Sequence, residues 1–465
     1  MARSKLSMSN VSYKYISNIL FSDLFNWSVQ YAKKSKLMFN KQYDSVKIGA
    51  FLTRIKKPIN IDDNQNYKRV SIKLYNGGIV LRDIERGSNV GTKKQFIINA
   101  GQFLLSKIDA RNGAIGIVPA SCDNAVITGN FWSFEINTEL IVPKFLTLLT
   151  TTKYFTKLFD DASNGTTNRH YLQEDLFLNM EVPLPPIERQ YEIVDDYNAK
   201  IQVAEKNERE ALNLEKEIEE TLFEKLGISS VLQQKASISN SLLSFVNYSF
   251  ISRWGVEFLK NEKVNKKLLK SASLPMRKLG NLVEIDPKNN FSDLDKNLEM
   301  SFIPMECVSD EYGEIISLKV GCNEKSKGYT RFQDGDLIWA KITPCMQNGK
   351  SAILKDLKNG YGYGSTEFYV IRNTNSEIHL DYIYHILRTD TVLKNAMTFF
   401  TGSSGQQRVP KSFLENLEIP LPDFATQVQI SNDIYAIKKR IKELHTNAEK
   451  CRGEAIRGFE KELLG

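Results

Sequence analysis

Residues 181–190 read EVPLPPIERQ, and 237 positions later residues 418–427 read EIPLPDFATQ. Each copy is followed by about forty residues with helical periodicity. A Pro-x-Pro segment lacks two amide donors, so it cannot be a central strand. Proline also drives the residue before it out of the helical region. The segment therefore predicts a stiff, extended exit from a folded domain that leads directly into a helix. Asp423 is placed to cap the second of these helices. A chain that writes this exit twice is constrained to fold as two similar units.

The repeat extends upstream of the exits. FNWSVQYAKK (25–34) matches SRWGVEFLKN (252–261), aligning Trp27 with Trp254, both read as core residues in aromatic–apolar strands. VKIGAFLTRI (46–55) matches RKLGNLVEI (277–285). AGQFLLSKIDARNGAIGIV (100–118) matches DGDLIWAKITPCMQNGKSAIL (334–354), each a turn, a buried strand, a polar loop and a second strand. ITGNFWSFEI (127–136) and GYGSTEFYVI (362–371) continue as strands. One short helix follows in each half, PKFLTLLTTTKYFTKLF and LDYIYHILRTDTVLKNAM. Small polar loops, NGTTNRHYL and TGSSGQQRV, then precede the exits. The same order of elements over about 210 residues indicates duplication.

The two terminal helices look like a pair. Ile430, Ile434, Ile437, Ile441, Leu444, Ala448, Cys451 and Ala455 alternate spacings of four and three, the seam of a coiled coil. Ile193, Tyr197, Ile201, Ala204, Ala211, Leu214 and Ile218 form a similar, less regular stripe. Residues 187–227 carry a net charge of −6 and residues 424–465 a net of +2. The rest of the chain carries +11, which with these two segments makes the total of +7, and basic globular parts beside an acidic helix suggest a polyanion partner.

At 465 residues, 42% hydrophobic and 25% charged, the chain reads as a soluble protein with more than one core. The N-terminus has no signal-peptide core, and no window approaches the roughly 20 apolar residues of a membrane span. Five cysteines form no C-x-x-C pair and the four histidines show no ligand spacing, so free thiols in a reducing cytoplasm and no metal site are expected.

The segments GTTNRHYLQEDLFLNMEVPLPPIERQ and GSSGQQRVPKSFLENLEIPLPDFATQ, followed by helices ending FEKLG and FEKELLG, carry a family resemblance. Over about residues 20–465 the chain resembles the specificity subunit of bacterial type I restriction–modification systems. One departure is PDFATQ, where the family usually has a second proline and a glutamate before the glutamine. The resemblance implies an α+β fold: two similar globular target-recognition domains separated by two long antiparallel coiled-coil helices, with a pseudo-two-fold internal repeat. The expected domains are 1–186 and 231–423, with spacer helices at 187–230 and 424–465; residues 228–246 are the expected crossing into the second domain. It further implies a cytoplasmic, non-catalytic bacterial protein. Its expected partners are double-stranded DNA, two modification (methyltransferase) subunits and a restriction (translocase–nuclease) subunit. No cofactor is expected in this chain; S-adenosylmethionine is expected in the methyltransferase subunits.

Base reading needs bidentate donors and acceptors on loops, and phosphate contacts need Lys, Arg, Ser and Thr. The loops after the turn–strand units offer Lys107, Arg111 and Asn112 in the first half and Lys341, Gln347, Asn348 and Lys350 in the second. The loops before the exits offer Thr166, Thr167, Asn168 and Arg169, then Ser403, Ser404, Gln406, Gln407 and Arg408. Arg82, Arg86, Lys93 and Lys94 form a further basic cluster. PCMQNGKS (344–351) ends like a phosphate-binding loop but has Pro344 where that loop needs glycine, and a strand rather than a helix follows. YGYGS (361–365) is explained by strand-bounding glycines, and no D-P-P-Y or N-P-P-F segment of an amino-methyltransferase occurs. Two other readings stand beside this one. A self-contained DNA-modifying enzyme would bind methyl donor by itself, and an interaction protein mimicking a specificity subunit would keep the helices but lose the basic loops.

Overall fold

The computed structural model describes residues 42–161, 163–164, 171–228, 269–403 and 405–464. Trp27, Trp254 and all but the first residue of the 228–246 crossing lie outside the described residues. Among the described residues, those up to Glu205 and those from Ala448 onward form one compact unit, and those within Lys206–Asn447 form a second. The division runs through both long helices, where the sequence reading separated domains from helices at the exits.

In the first unit, β1 (Asp44–Lys47) leads through a 3-10 turn to β2 (Leu52–Ile55), β3 (Pro58–Asn60), β4 (Asn66–Ile72), β5 (Ile79–Arg86) and β6 (Lys94–Ile98). There follow β7 (Phe103–Ser106), β8 (Ile115–Ile117), β9 (Ala125–Ile127) and β10 (Phe131–Ile136). Helices α1 (Pro143–Thr151) and α2 (Lys153–Asp161) come next, then the short pair β11 (Ser163–Asn164) and β12 (Tyr171–Leu172). Helix α3 (Glu174–Leu178), β13 (Glu181–Leu184) and the 39-residue helix α4 (Ile187–Lys225) complete the series. The sheets have the orders β2-β10-β7-β8, β3-β6-β9-β4-β5 and β1-β13.

The second unit repeats this plan. Its strands are β14 (Met276–Lys278), β15 (Glu284–Ile285), β16 (Glu299–Ile303), β17 (Lys319–Cys322), β18 (Thr330–Gln333) and β19 (Leu337–Ala340). They continue with β20 (Ser351–Ile353), β21 (Tyr361–Gly364) and β22 (Phe368–Arg372). Helices α5 (Leu380–Leu387), α6 (Asp390–Thr398) and α7 (Lys411–Asn416) precede β23 (Glu418–Pro420) and the 41-residue α8 (Phe424–Leu464). The sheets are β15-β22-β19-β20, β17-β16-β21-β18 and β14-β23, so the strand orders of the first unit recur except for the added β3 and the β11-β12 pair, in whose place the second unit has the isolated Thr401–Arg408 bridge. Even the one parallel pairing is shared, β4 with β9 and β16 with β21. β7 and β19 are buried at all four positions, which explains their unbroken apolar runs.

One expectation needs correction. The single helix expected after the strands is two helices in each unit, because Thr152 and Thr389 are extended and break the run. The Thr152 hydroxyl accepts from the Phe155 amide at 3.2 Å and the Thr389 hydroxyl from Val392 at 3.3 Å. Each threonine thereby caps the helix after it.

The exits pair only at an edge, as proline requires: Pro183 lies opposite Ser45 and Pro420 opposite Met276, each in a two-stranded sheet. Asp423 accepts from the Thr426 amide at 2.9 Å and caps α8. The last residue of each quoted exit is a fully buried glutamine. The Gln190 carbonyl accepts from Val142 N–H at 2.8 Å, and its amide donates to Leu140 O at 2.9 Å and Pro185 O at 2.8 Å. Gln427 repeats the set, accepting from His379 N–H at 2.9 Å and donating to Glu377 O and Pro422 O at 3.0 Å each. Each long helix is thus fastened to the segment that begins its own unit's helix pair.

The far ends of the helices also carry cores. In the first unit Phe459 and Leu463 of α8 join Ile193 and Val194 of α4 in one cluster with Phe145 and Phe177. Glu460 accepts from the Lys153 amide at the start of α2. In the second unit Leu222, Phe223 and Leu226 of α4 join Ile430 and Ile434 of α8. There Glu219 accepts from the amides of Asp390 and Thr391 at the start of α6, at 3.0 and 3.2 Å. Carboxylates at helix N-termini are favoured electrostatically. Between the helices of the second unit, Ala211, Ile441 and Leu444 pack together. Glu210 pairs with Arg440 at 2.9 Å and Lys225 with Asp433 at 2.5 Å, so the two segments run in opposite directions.

Two stability predictions follow from this anchoring. Gln190→Glu cannot donate to Leu140 O and Pro185 O and places a charge beside them. It should lower the melting temperature more than Gln190→Met, which leaves three buried groups unpaired at about 1–3 kcal/mol each. Equal effects would show that the carboxylate costs no more than the lost bonds, and an unchanged melting temperature in both would show the amide bonds to be dispensable. Lys438 of α8 lies 4.6 Å from the Tyr384 ring, and burial, reinforced by Arg388, pushes its ammonium down to about 7 from an ordinary 10.5. Between those values the unfolded chain holds the proton more tightly, so this lysine makes stability rise with pH. In urea titrations from about pH 7 to 9, Lys438→Met should flatten that slope, and an unchanged slope would rule the lysine out as its source.

Candidate nucleic-acid interface

The polar loop after β7 is built by local hydrogen bonding. The Ser106 hydroxyl accepts from the amides of Ile108 and Asp109 at 3.3 and 3.2 Å, turning the chain into the 3-10 segment Ala110–Asn112. Gly113 then closes it at φ +75°, a left-handed position where a side chain would also collide with the Asn76 backbone. The counterpart Gly349 has φ +69°. Lys107 and Arg111 are half-buried and Asn112 is exposed.

Both units lay the loop before the exit against this one. In the first, the Lys107 carbonyl accepts from Leu172 N–H at 3.0 Å. In the second, the equivalent Lys341 carbonyl accepts from Val409 N–H at 2.9 Å, and Thr343 N–H donates to Gln407 O at 3.0 Å. In the second unit the sequence-predicted groups therefore converge on one edge, Lys341, Gln347 and Asn348 beside Ser403, Gln406, Gln407 and Arg408. Thr166, Thr167, Asn168, Arg169 and Ser404 lie outside the described residues.

Several predicted contacts already have internal partners. Arg408 forms a two-pronged ion pair with Glu367 at 2.7 and 2.9 Å, which holds its guanidinium above the ordinary range. Lys350 donates inward to the carbonyls of Met305 and Val308 at 3.3 and 2.9 Å, so its ammonium supports the loop 305–308. Gln347 accepts from the Thr343 hydroxyl, and Lys341 sits 4.9 Å over the Tyr369 ring. Arg111 has no hydrogen-bond or ion-pair partner for its side chain among the described residues.

The basic cluster of the first unit is elsewhere. Arg82 pairs with Asp83 at 3.1 Å, Arg86 donates to Asn64 Oδ1 at 3.2 Å, and Lys93 contacts Asp63 and donates to Gly87 O at 2.7 Å. Lys94 is exposed on β6. Arg86 lies at the Asn66 end of the β4–β5 ladder, roughly 20 Å along the strands from its hairpin end. That hairpin end is the one bonded to the 110–113 loop: Tyr75 N–H donates to Asn112 O at 2.8 Å and Asn76 N–H to Gly113 O at 3.0 Å. The sequence reading passed over this turn, although Asn76-Gly77 between apolar runs is a hairpin signal.

The comparison with known proteins can now be set beside this geometry. The sequence model described as the type I restriction modification DNA specificity domain matches twice, at residues 40–215 and 274–449. The chain belongs to this family. The specificity subunits of two type I restriction enzymes of Escherichia coli, EcoEI and EcoAI, are 41% and 40% identical to it over 153 residues. That match takes in 33% of this chain and 25% and 26% of those proteins, so it spans about a quarter of their length. A solved chain from work on complex assembly and conformational transition of the type I R-M system covers 91% of this chain and 97% of its own length. Its TM-score is 0.56 at 14% identity, a likeness of fold. Among the described residues no helix is long and apolar enough to cross a membrane, and no group of His, Cys, Asp and Glu is arranged to hold a metal ion.

Lys350→Met should lower stability by about 1.5–3 kcal/mol through loss of two charge-assisted bonds, measured by thermal unfolding. A variant with unchanged stability and weakened DNA binding would instead assign the lysine to the interface.

Proposed function

We propose that this chain is the DNA-reading specificity subunit of a type I restriction–modification complex. Each globular part reads one half of a split duplex target, and the paired helices act as a ruler. The helices dock two modification subunits, and a restriction subunit joins that assembly. The chain itself performs no chemistry; the modification subunits bind S-adenosylmethionine and methylate an adenine in each half.

The observation that carries this reading is a duplicated anchor, the Lys107 and Lys341 carbonyls receiving the Leu172 and Val409 amides at the same place in both units. Two readers on one chain match a bipartite site, and helices at 1.5 Å rise per residue fix a separation that a flexible tether would not. Basic side chains at the edge supply phosphate contacts, so affinity should fall steeply with salt. The remaining donors and acceptors are of the kinds that read base edges.

The test is a methylome. The chain is co-expressed with a type I modification subunit in a methylation-free host, and modified adenines are mapped by single-molecule sequencing. A split motif with a fixed gap is expected. Arg408→Ala should relax one half of that motif and leave the other intact, whereas equal loss in both halves would remove Arg408 from base reading. Inserting a few residues in one long helix should change the gap alone, and an altered half-site would refute the ruler.

A further inference from the structure

The tip of the β4–β5 hairpin holds a side chain that nothing above assigns. Tyr75 is 86% exposed, the most exposed of the large hydrophobic side chains among the described residues. It stands at φ +56°, followed by Asn76 at φ +59°, with Gly77 N–H closing the turn onto Leu74 O at 3.1 Å. Two consecutive left-handed residues make a type I′ turn, whose first position suits Asn, Asp or Gly and is unfavourable for an aromatic residue. A tyrosine is therefore held where the backbone disfavours it and where its ring gains nothing from burial. Such strain is found where surrounding structure enforces it for a function.

The surroundings do enforce it. The amides of Tyr75 and Asn76 are both bonded to the Asn112–Gly113 turn, so the exposed tyrosine is fastened beside Arg111 and Asn112. Among the described residues the second unit presents no such exposed ring there: Tyr312 of its β16–β17 connection is packed against Ala211, Ile441 and Leu444. That connection reaches the equivalent Gly349 through Arg388, which donates to the Gly349, Asp310 and Glu311 carbonyls.

We propose that Tyr75 is a base-reading residue of the first unit, its ring packed on the edge of a base pair in the half-site which that unit contacts. A rigid ring with two rotatable bonds makes an apolar base contact at low entropic cost, beside an arginine and an amide able to take the polar edge. The inference rests on the DNA-reading function proposed above.

The experiment compares methylomes of the full chain, Tyr75→Asn and Tyr75→Phe, each co-expressed with the modification subunit. Asparagine suits the left-handed turn, so Tyr75→Asn should unfold at the same temperature as the parent or higher. It should nevertheless relax one or more positions of a single half-site, by about tenfold or more. Tyr75→Phe should keep the parent motif. A parent-like motif in Tyr75→Asn, or loss of both halves together, overturns the proposal while leaving the DNA-reading function in place. A Tyr75→Phe motif that matches Tyr75→Asn assigns the contact to the hydroxyl and overturns the ring contact. Absence of any split motif from the parent chain overturns both.

Discussion

Two buried glutamines hold this architecture together. A long helix leaving a globular domain has a direction only if its first turn is fixed, and an extended proline segment alone leaves that turn free to swivel. Gln190 and Gln427 remove the freedom by donating twice and accepting once from fully buried positions. Only a neutral amide of this length offers both kinds of group at one site. The cost of leaving any of them unpaired is what makes the arrangement specific. The remaining anchors, Glu460 at the start of α2 and Glu219 at the start of α6, come from the far ends of the helices and depend on those directions being set.

The two units share more than strand order. The turn that closes on Gly113 or Gly349, the carbonyl of Lys107 or Lys341 that receives the loop before the exit, and the threonine caps between helices all recur. Besides the added β3 and the β11-β12 pair, the units differ in what those fixed points carry. The β4–β5 connection is a tight strained hairpin, while the β16–β17 connection is longer and tied down by Arg388. A scaffold fixed by backbone bonds can vary its edge side chains at little energetic cost, which suits a reader whose two halves need not recognise the same bases.

Much of the fold could be read from the sequence because its signals are local and covalent. Proline without an amide, a long apolar stripe at helical spacing and a repeated order of elements need no tertiary information. The split helices escaped notice because Thr152 and Thr389 interrupt an apolar pattern that reads as continuous across them. The edge was only half legible. The loops could be found by their polarity, but the pairing of Arg408 with Glu367, 41 residues away, and the inward reach of Lys350 to Met305, 45 residues away, arise only from packing. Side-chain type alone does not tell a solvent-facing cation from one engaged inside. Tyr75 was hidden for the opposite reason, because an aromatic residue beside apolar ones reads as core until its turn geometry is known.

Charge pairing at the two edges also has a consequence for recognition. Arg408 is oriented in advance by Glu367, which lowers the entropic cost of presenting its fork but opposes phosphate binding by placing a carboxylate beside it. Arg111 has no such partner among the described residues, so its charge is left unneutralised while its orientation is less determined. The second edge, rich in Gln406, Gln407 and Asn348 around a clamped arginine, is therefore suited to directional readout. The first edge combines unclamped cations with a rigid ring, which favours affinity supplemented by apolar contact. If the proposed DNA-reading function holds, affinity through the first edge should fall more steeply with salt, because fewer of its charges are neutralised beforehand.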